Sequence, residues 1–480
     1  MSSTNDSKAR GEGPLQSRSF LTIWVGQLIS VLGSGMTNFA LIIWVYGRTG
    51  KVTDLALLSL FLALPWLLVS PVAGALVDRW DRRKVMLAAN LGSGLCILAI
   101  AVLLMTHQLA VWHIYVIILF AASFTVFQTS AYTAAVSLLV PKRQLGRANG
   151  MVQTSQGLAQ IVSPLLGGIL VTTLGVQGVV IIDFLTFLVA IGTLLAVGIP
   201  KPTLSAIGAK AKGSLFKEAA FGLSFIRTRP GFLGLTLLSV AVNFFQGFVA
   251  VLAAPYILAF STPAVFGVVS SVAGTGMLAG GILLSIWGGP KRRVYGILGP
   301  LVLSGICLVV VGVFGTPLVF AIAGFGFFLC LPLMAGSSQA IWQSKVEPDV
   351  QGRVFAIRLM AASSALPIAY LFAGPLADRV FEPLMAPGGA LAGSIGRVIG
   401  TGHGHGIGLL FVCVGIAISL VALTAFLNSQ FRNLEDNLPD VLPDVPAAPE
   451  PLVPPGPLVP PGAPGPLVQE TAIAAAAAAA

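Results

Sequence analysis

Three properties of this chain specify an all-α membrane protein with twelve transmembrane helices, arranged as two six-helix bundles that repeat one another. Hydrophobic residues fill 56% of its 480 positions and charged residues only 9%, at a mean hydropathy of +0.92. A water-soluble domain carries roughly a quarter charged residues, so a soluble enzyme is excluded. Nucleic-acid binding is disfavoured too, despite a net charge of +10. The apolar residues fall into runs of the length that crosses a bilayer, about 20 residues. The cations gather in short loops between alternate runs, as the positive-inside rule requires of cytoplasmic loops.

The N-terminal tail, 1–19, is polar. The run that starts at Phe20 is longer than a signal-peptide core and lacks an Ala-x-Ala cleavage pattern, so it reads as an uncleaved first span. The N-terminal bundle, 20–199, takes spans at 20–46, 54–77, 85–105, 111–139, 147–172 and 177–199. A more polar linker follows at 200–230, with Lys201, Lys210, Lys212, Lys217, Arg227 and Arg229. The C-terminal bundle, 231–428, takes spans at 231–258, 263–287, 294–314, 317–343, 354–377 and 406–427. The tail, 429–480, repeats Pro451 to Gly456 as Pro457 to Gly462, and proline at that density predicts extended, disordered chain. With both termini cytoplasmic, 22 of the 27 Lys and Arg fall on the inner side, Arg48, Lys51, Arg379 and Arg397 fall outside, and Arg358 lies within a span.

The two halves echo each other. Arg82-Arg83-Lys84-Val85 follows the second span, and Lys291-Arg292-Arg293-Val294 follows the eighth, 209 positions later. Gly146-Arg147 opens the fifth span, and Gly352-Arg353 opens the eleventh, 206 positions later. Two near-equal offsets imply a duplicated six-helix unit, the repeat arrangement of a large transporter class.

Several local features carry chemistry. The loop after the second span reads Gly74-Ala75-Leu76-Val77-Asp78-Arg79-Trp80-Asp81-Arg82-Arg83-Lys84. A carboxylate at a span end, Asp78, can cap an incoming helix or pair with arginine and so favour one conformation. The plainer reading is a basic loop that fixes orientation. The fifth span carries Ser155-x3-Ala159-x3-Ser163-Pro164-x2-Gly167-Gly168. Small residues four apart let helices approach closely, and the proline bends the span. Asp183 is the only acid well inside a span. An intramembrane carboxylate is by default a proton or cation site, but Asp183 also lies near a span end where water could reach it. Arg358 reads as a snorkelling or gate residue.

Other features carry less. Cys96, Cys307, Cys330 and Cys413 all sit in apolar runs with no CxxC, and read as buried free thiols. His403 and His405 lie in a Gly-rich stretch, 388–408, that reads as a flexible outer loop; a metal site would want more ligands. No G-x4-G-K-[ST] phosphate loop occurs, so ATP is not hydrolysed by that route.

The loop after the second span resembles the signature loop of the major facilitator superfamily, G-x-L-a-D-r-x-G-r-k, with Asp81 at the usual second glycine. The fifth-span pattern is similar to that superfamily's antiporter motif, G-x3-G-x3-G-P-x2-G-G, with Ser155, Ala159 and Ser163 at the first three glycines. Ile23-Trp24-Val25-Gly26-Gln27, Asp81 to Met86, Gly352-Arg353-Val354-Phe355 and Phe372 to Asp378 look like its bacterial macrolide-efflux and siderophore-exporter branch. The resemblance covers roughly residues 18–428. It implies that Asp78 latches the halves on the cytoplasmic side, with Arg82 and Arg83 as partners and Gly74, Arg79 and Arg353 in the same gate. It implies an exporter through Ser163, Pro164, Gly167 and Gly168. Through the helices that line the pathway in that family, it points to a cavity at Gln27, Asn38, Gln128, Tyr132, Asn243, Gln246, Gln339 and Trp342. Amides beside aromatics suit a bulky, largely apolar substrate. The fourth span, Val111 to Leu139, lacks the arginine that many proton-coupled exporters of this superfamily carry; that position falls near Ala122.

The expectation is a secondary active exporter of a lipophilic small molecule (a drug, macrolide, siderophore or other secondary metabolite) working by alternating access. A proton gradient supplies the energy, with Asp183 as coupling candidate and no cofactor. The partners expected are the substrate and the lipid bilayer, without nucleic acid, and each chain works as a monomer in the plasma (inner) membrane. An importer on the same fold is the nearest rival. A multi-pass enzyme would need a polar constellation at one membrane face, and none is evident; a sensor would normally add a folded soluble domain.

Overall fold

The computed structural model describes residues 18–77, 80–140, 145–197, 215–346 and 350–437. Asp78, Arg79, positions 200–214 of the expected linker and the proline-rich tail lie outside the described residues, as does the side chain of Arg353. The described residues are helical, with no strand among them.

Helix α1 is Arg18–Thr49, α2 Val52–Leu68, α3 Ser70–Val77, α4 Arg82–Met105, α5 Val111–Leu139 and α6 Leu145–Ala196. Helix α7 is Leu215–Arg227, α8 Pro230–Phe260, α9 Pro263–Trp287, α10 Tyr295–Phe314, α11 Pro317–Lys345, α12 Gln351–Leu376 and α13 His405–Leu427. A π-helical turn, Ala377–Phe381, extends α12. Ten helices among the described residues are long and apolar enough to cross a membrane.

One span departs from the simple pattern. The second expected span is α2 followed by α3, with the C-cap at Val69 and Pro65 inside α2. The fifth and sixth are two helical arms of α6 that meet at Gly175, whose φ of 72° and ψ of 174° are open to glycine and break the helix within the expected gap between 172 and 177. At 1.5 Å per residue each arm is long enough to cross a hydrocarbon core of about 30 Å.

Start signals are local. Pro230, Pro263 and Pro317 stand in the first turn of α8, α9 and α11, where the missing N–H costs nothing. Thr262 and Thr316 accept from Val265 N and Val319 N, each at 3.4 Å. Asp81 caps α4, accepting from Arg83 N at 3.0 Å and Lys84 N at 3.4 Å. That cap accounts for the departure from glycine at this position: Asp81 supplies a side-chain acceptor where glycine would supply none.

Large apolar side chains such as Leu95, Ile286 and Leu318 face outward, the surface a bilayer covers. Inside, α1 packs on α6, α4 on α5 and α6, α9 on α11, α10 on α13, and α8 on α12. Between the first six helices and the rest, the principal contacts are α6 with α9 and α2 with α12. Small residues allow the closest crossings; a Cβ on Gly415 would lie 2.5 Å from the Gly305 carbonyl oxygen, at the α10–α13 contact. The cysteines are free, as expected, but only Cys330 is buried; Cys96 and Cys307 are half-buried and Cys413 is exposed.

The expected flexible stretch 388–408 is instead organised around Glu382. Its carboxylate accepts from Gly404 N at 3.2 Å and Ile407 N at 3.1 Å. His403 Nε2 lies 3.2 Å from the hydroxyl of Tyr46 on α1, and His405 packs edge-on against Phe260.

Candidate transport cavities

Two cavities lie within the bundle, one among the first six helices and one among α8 to α12. The first, about 790 Å³, is walled by α1, α4, α5 and α6. It gathers four of the expected residues, Gln27, Asn38, Gln128 and Tyr132, together with Asp183. Gln128 Nε2 donates to Gln27 Oε1 across the wall. Gln27 Nε2, Gln128 Oε1, Asn90 Nδ2 and the Tyr132 hydroxyl are buried without a partner among the described residues. Buried polar atoms are nearly always satisfied, so four such atoms on one cavity wall make it suited to a ligand with a few polar groups.

The sequence reading missed part of this wall. Asn90 and Ser93 come from α4, and Gln153, Gln156 and Gln160 from α6. The three glutamines follow helical spacing, three and four apart, which is a one-face signal available in the sequence.

Asp183 is completely buried on α6, so the expectation of a water-bathed span end does not hold. Its Oδ1 accepts from Ser34 Oγ at 3.4 Å and Thr186 Oγ1 at 3.3 Å. Its Oδ2 has no partner among the described residues, nor has the buried Thr37 hydroxyl nearby. Gly33 opposes this group from α1: a Cβ there would stand 2.7 Å from Asp183 Oδ1.

The second cavity, about 640 Å³, holds Asn243, Gln246 and Gln339, and also Arg358. Arg358 donates to Gln339 Oε1 at 2.9 Å and Ser338 Oγ at 3.3 Å, and lies 5.2 Å from the Trp342 ring. Arg358 therefore stands in the cavity wall rather than reaching for an interface. Trp342 does not line this cavity. It is fully buried, stacked on Phe232 at 4.6 Å and edge-on to Phe355.

The antiporter-like pattern forms a seam. Ser163 Oγ donates to the Leu32 carbonyl at 3.1 Å, and Gly167 meets Phe39, which itself stacks on Phe266 of α9 at 4.8 Å. Gly168 faces the Pro263 carbonyl, 2.9 Å from where a Cβ would stand, and Gly267 faces the Pro164 carbonyl. Ser271 Oγ donates to the Ile161 carbonyl at 2.6 Å. Ser163, Pro164, Gly167 and Gly168 thus bring α6 against both α1 and α9.

Of the expected gate, Gly74 lies in α3, while Arg82 and Arg83 bind helix ends. Arg82 Nη1 donates to the Ala134 carbonyl at 2.7 Å. Arg83 donates to the carbonyls of Leu194 at 3.0 Å and Leu195 at 2.8 Å. Cations at helix C-termini are favoured by the unpaired carbonyls and the helix dipole. At the far end of the bundle, Asp378 accepts from Val52 N at 3.0 Å, Thr53 N at 2.7 Å and Thr53 Oγ1 at 2.6 Å, a contact the sequence reading did not assign.

A helical bundle with an apolar outer surface, enclosing two largely apolar cavities that each carry a few polar groups, has the architecture of a membrane transporter. The chain belongs to the Major Facilitator Superfamily, whose family model matches residues 23–370. It is similar to macrolide efflux protein A of Streptococcus pyogenes, 29% identical over 375 residues, covering 75% of this chain and 90% of that protein. The multidrug efflux pump Tap of Mycolicibacterium fortuitum is 25% identical, covering 76% of this chain and 90% of Tap. In fold it is similar to a bacterial homologue of the human lysosomal transporter Spinster, with a TM-score of 0.67 at 15% identity over 89% of this chain and 99% of that one. The nucleoside transporter NupG superposes with a TM-score of 0.66 at 9% identity, over 85% of this chain and 99% of that one.

Proposed function

We propose that this protein is a secondary active exporter of a lipophilic small molecule, such as a macrolide or another drug-like compound, which it moves outward in exchange for protons. The observation that carries the reading is Asp183, a fully buried carboxylate with one unpartnered oxygen on the wall of an amide-lined cavity of about 790 Å³. An intramembrane carboxylate so placed can take up and release a proton where substrate binds. The volume and the mix of apolar wall with a few convergent polar groups suit a drug-sized ligand. The efflux proteins among the relatives support the direction and the substrate class.

In this reading the chain makes twelve passes, α6 counting as two and α2 with α3 as one. The two six-helix halves alternate about the cavities, and each monomer is complete. The basic face, with Arg82, Arg83 and Arg293, is cytoplasmic by the positive-inside rule, both termini lie on that side, and the membrane is the plasma (inner) membrane.

The test is accumulation of labelled macrolides and other lipophilic compounds in a pump-depleted host, with empty vector, this protein and Asp183→Asn. Lower accumulation with this protein, lost with a protonophore and with Asp183→Asn, is the expected result. Export that survives both treatments rejects proton coupling through Asp183, and raised accumulation rejects the direction.

A further inference from the structure

The two cavities enclose charges of opposite sign. The first holds the carboxyl group of Asp183, and in the second Arg358 is the only charged side chain among the described residues that line it. The two groups respond differently to burial. A carboxylate away from water can take a proton and become neutral, whereas a guanidinium keeps its charge at any physiological pH. Asp183 can therefore sit in its wall without a counterion, while Arg358 needs a partner from somewhere.

The protein offers Arg358 only neutral ones. It stands seven residues after the start of α12, about 10 Å along the helix at 1.5 Å per residue, and is half-buried. Gln339 Oε1 and Ser338 Oγ, neighbours on α11, accept from its two terminal nitrogens at 2.9 and 3.3 Å, and the Trp342 ring lies 5.2 Å away. These bonds use two of the five N–H groups of a guanidinium and fix its plane. No carboxylate pairs with it among the described residues, and none lines the cavity. Charged groups within membrane spans face the bundle interior and are met by partners, and they mark the paths of substrates.

The surroundings add further donors. Gln246 on α8 and Ser363 on α12 line the same cavity, and neither side chain has a hydrogen-bond partner among the described residues. Much of the remaining wall is apolar, with Leu235, Met334 and Phe355 among its members. A cationic ligand would meet a like charge here with no acid to offset it, an arrangement that costs several kcal/mol. A fixed cation with spare N–H groups, neutral donors and an apolar wall match a lipophilic body that carries an acidic group.

We infer that Arg358 is the anion-binding residue of the second cavity, and that the transported compounds are lipophilic molecules bearing a carboxylate, sulfonate or phosphate. The acidic group docks on the N–H groups that Gln339 and Ser338 leave free, and the apolar body rests on the wall around it. The inference rests on the export reading above, whose substrate class it narrows.

Binding to the purified protein in a neutral detergent tests it without transport, so a failure of export in cells and a failure here are separate results. Ibuprofen, naproxen and indomethacin, each paired with its primary amide, are titrated by isothermal calorimetry. Each acid is expected to bind about tenfold or more tightly than its amide, the worth of one hydrogen bond to a charged group. Arg358→Gln should erase that difference, weakening the acids about tenfold while the amides shift by less than about threefold. Acids that bind no better than their amides across the panel, or not at all, overturn the inference in the unmutated protein. An acid preference that survives Arg358→Gln, in protein with an unchanged melting profile, overturns the assignment of Arg358. Displacement of the acids by phosphatidylglycerol, but not by phosphatidylcholine, gives the site to a bilayer lipid and overturns the substrate class.

Discussion

Arg293 donates to the carbonyl oxygen of Ala340 at 3.0 Å, as Arg82 does to that of Ala134 at 2.7 Å in the first half. The carbonyls lie 206 positions apart, the offset at which Gly146-Arg147 and Gly352-Arg353 also recur. By the 209-residue offset of the loops Arg82 matches Lys291 and Arg293 matches Lys84, so each half makes this kind of bond from a different position of its basic loop. In each case a guanidinium reaches a carbonyl five residues before the last residue of a neighbouring helix.

Removing either staple should cost about 1.5–3 kcal/mol, the range for a hydrogen bond to a charged group. Arg82→Ala and Arg293→Ala are expected to lower the denaturation midpoint in detergent by comparable amounts. The two sites share no recorded partner, so their effects should add to within about 0.5 kcal/mol. A larger coupling measured in the double variant would show that the staples are not independent.

Asp81 offers a sharper comparison, because its substitutes differ in what they do to a helix start. Asp81→Ala removes the acceptor for Arg83 N and Lys84 N and is expected to cost about 1 kcal/mol. Asp81→Gly should cost only a few tenths of that, because glycine tolerates the cap conformation. Equal losses for the two variants in a denaturant titration would remove the capping role.

The seam between α6 and α9 leaves no room for a side chain at Gly267, which faces the Pro164 carbonyl. Gly267→Val should force the helices apart and reduce transport more than tenfold, an overpacking penalty of about 1–3 kcal/mol. At the same time Ser271→Cys, placed in the seam, should become reactive to a membrane-permeant thiol reagent. Normal transport with an unreactive cysteine would mean that the seam tolerates the added bulk.

Arg358 is held by Gln339 and Ser338 through a planar fork, which a lysine cannot reproduce. If the second cavity takes acceptor oxygens of the substrate, Arg358→Gln and Arg358→Lys should both weaken binding by about tenfold, the range of one hydrogen bond to a charged group. Binding is read by quenching of tryptophan fluorescence, and the melting temperature should move little. Undiminished affinity in both variants would take Arg358 out of the binding surface.

The bilayer made much of this fold readable. A membrane helix must satisfy its own backbone over a fixed thickness, so α13 was expected at 406–427 and is found at His405–Leu427. Where the helix facing matters more than its existence, composition said less. Trp342 and Tyr132 are both aromatic residues in spans, yet one is sealed between Phe232 and Phe355 and the other lines a cavity. Asp378 was legible as an acid at a span end but not as a cap, because its partners lie 325 and 326 positions away in the chain. The Gly-rich stretch before α13 read as loose because glycine is permissive, whereas the Glu382 carboxylate ties its backbone at Gly404 and Ile407.

Gly175 divides α6 into two arms with no intervening loop. Gly168 lies seven residues before the turn and Asp183 eight after it, so both sit about 11 Å from the turn along their own arms, at 1.5 Å per residue. The seam against α9 and the buried carboxylate therefore occupy one depth in the bilayer, on two prongs of a single tuning fork. The two prongs are joined through the single residue Gly175, so the seam and the carboxylate are linked by only 15 positions of chain.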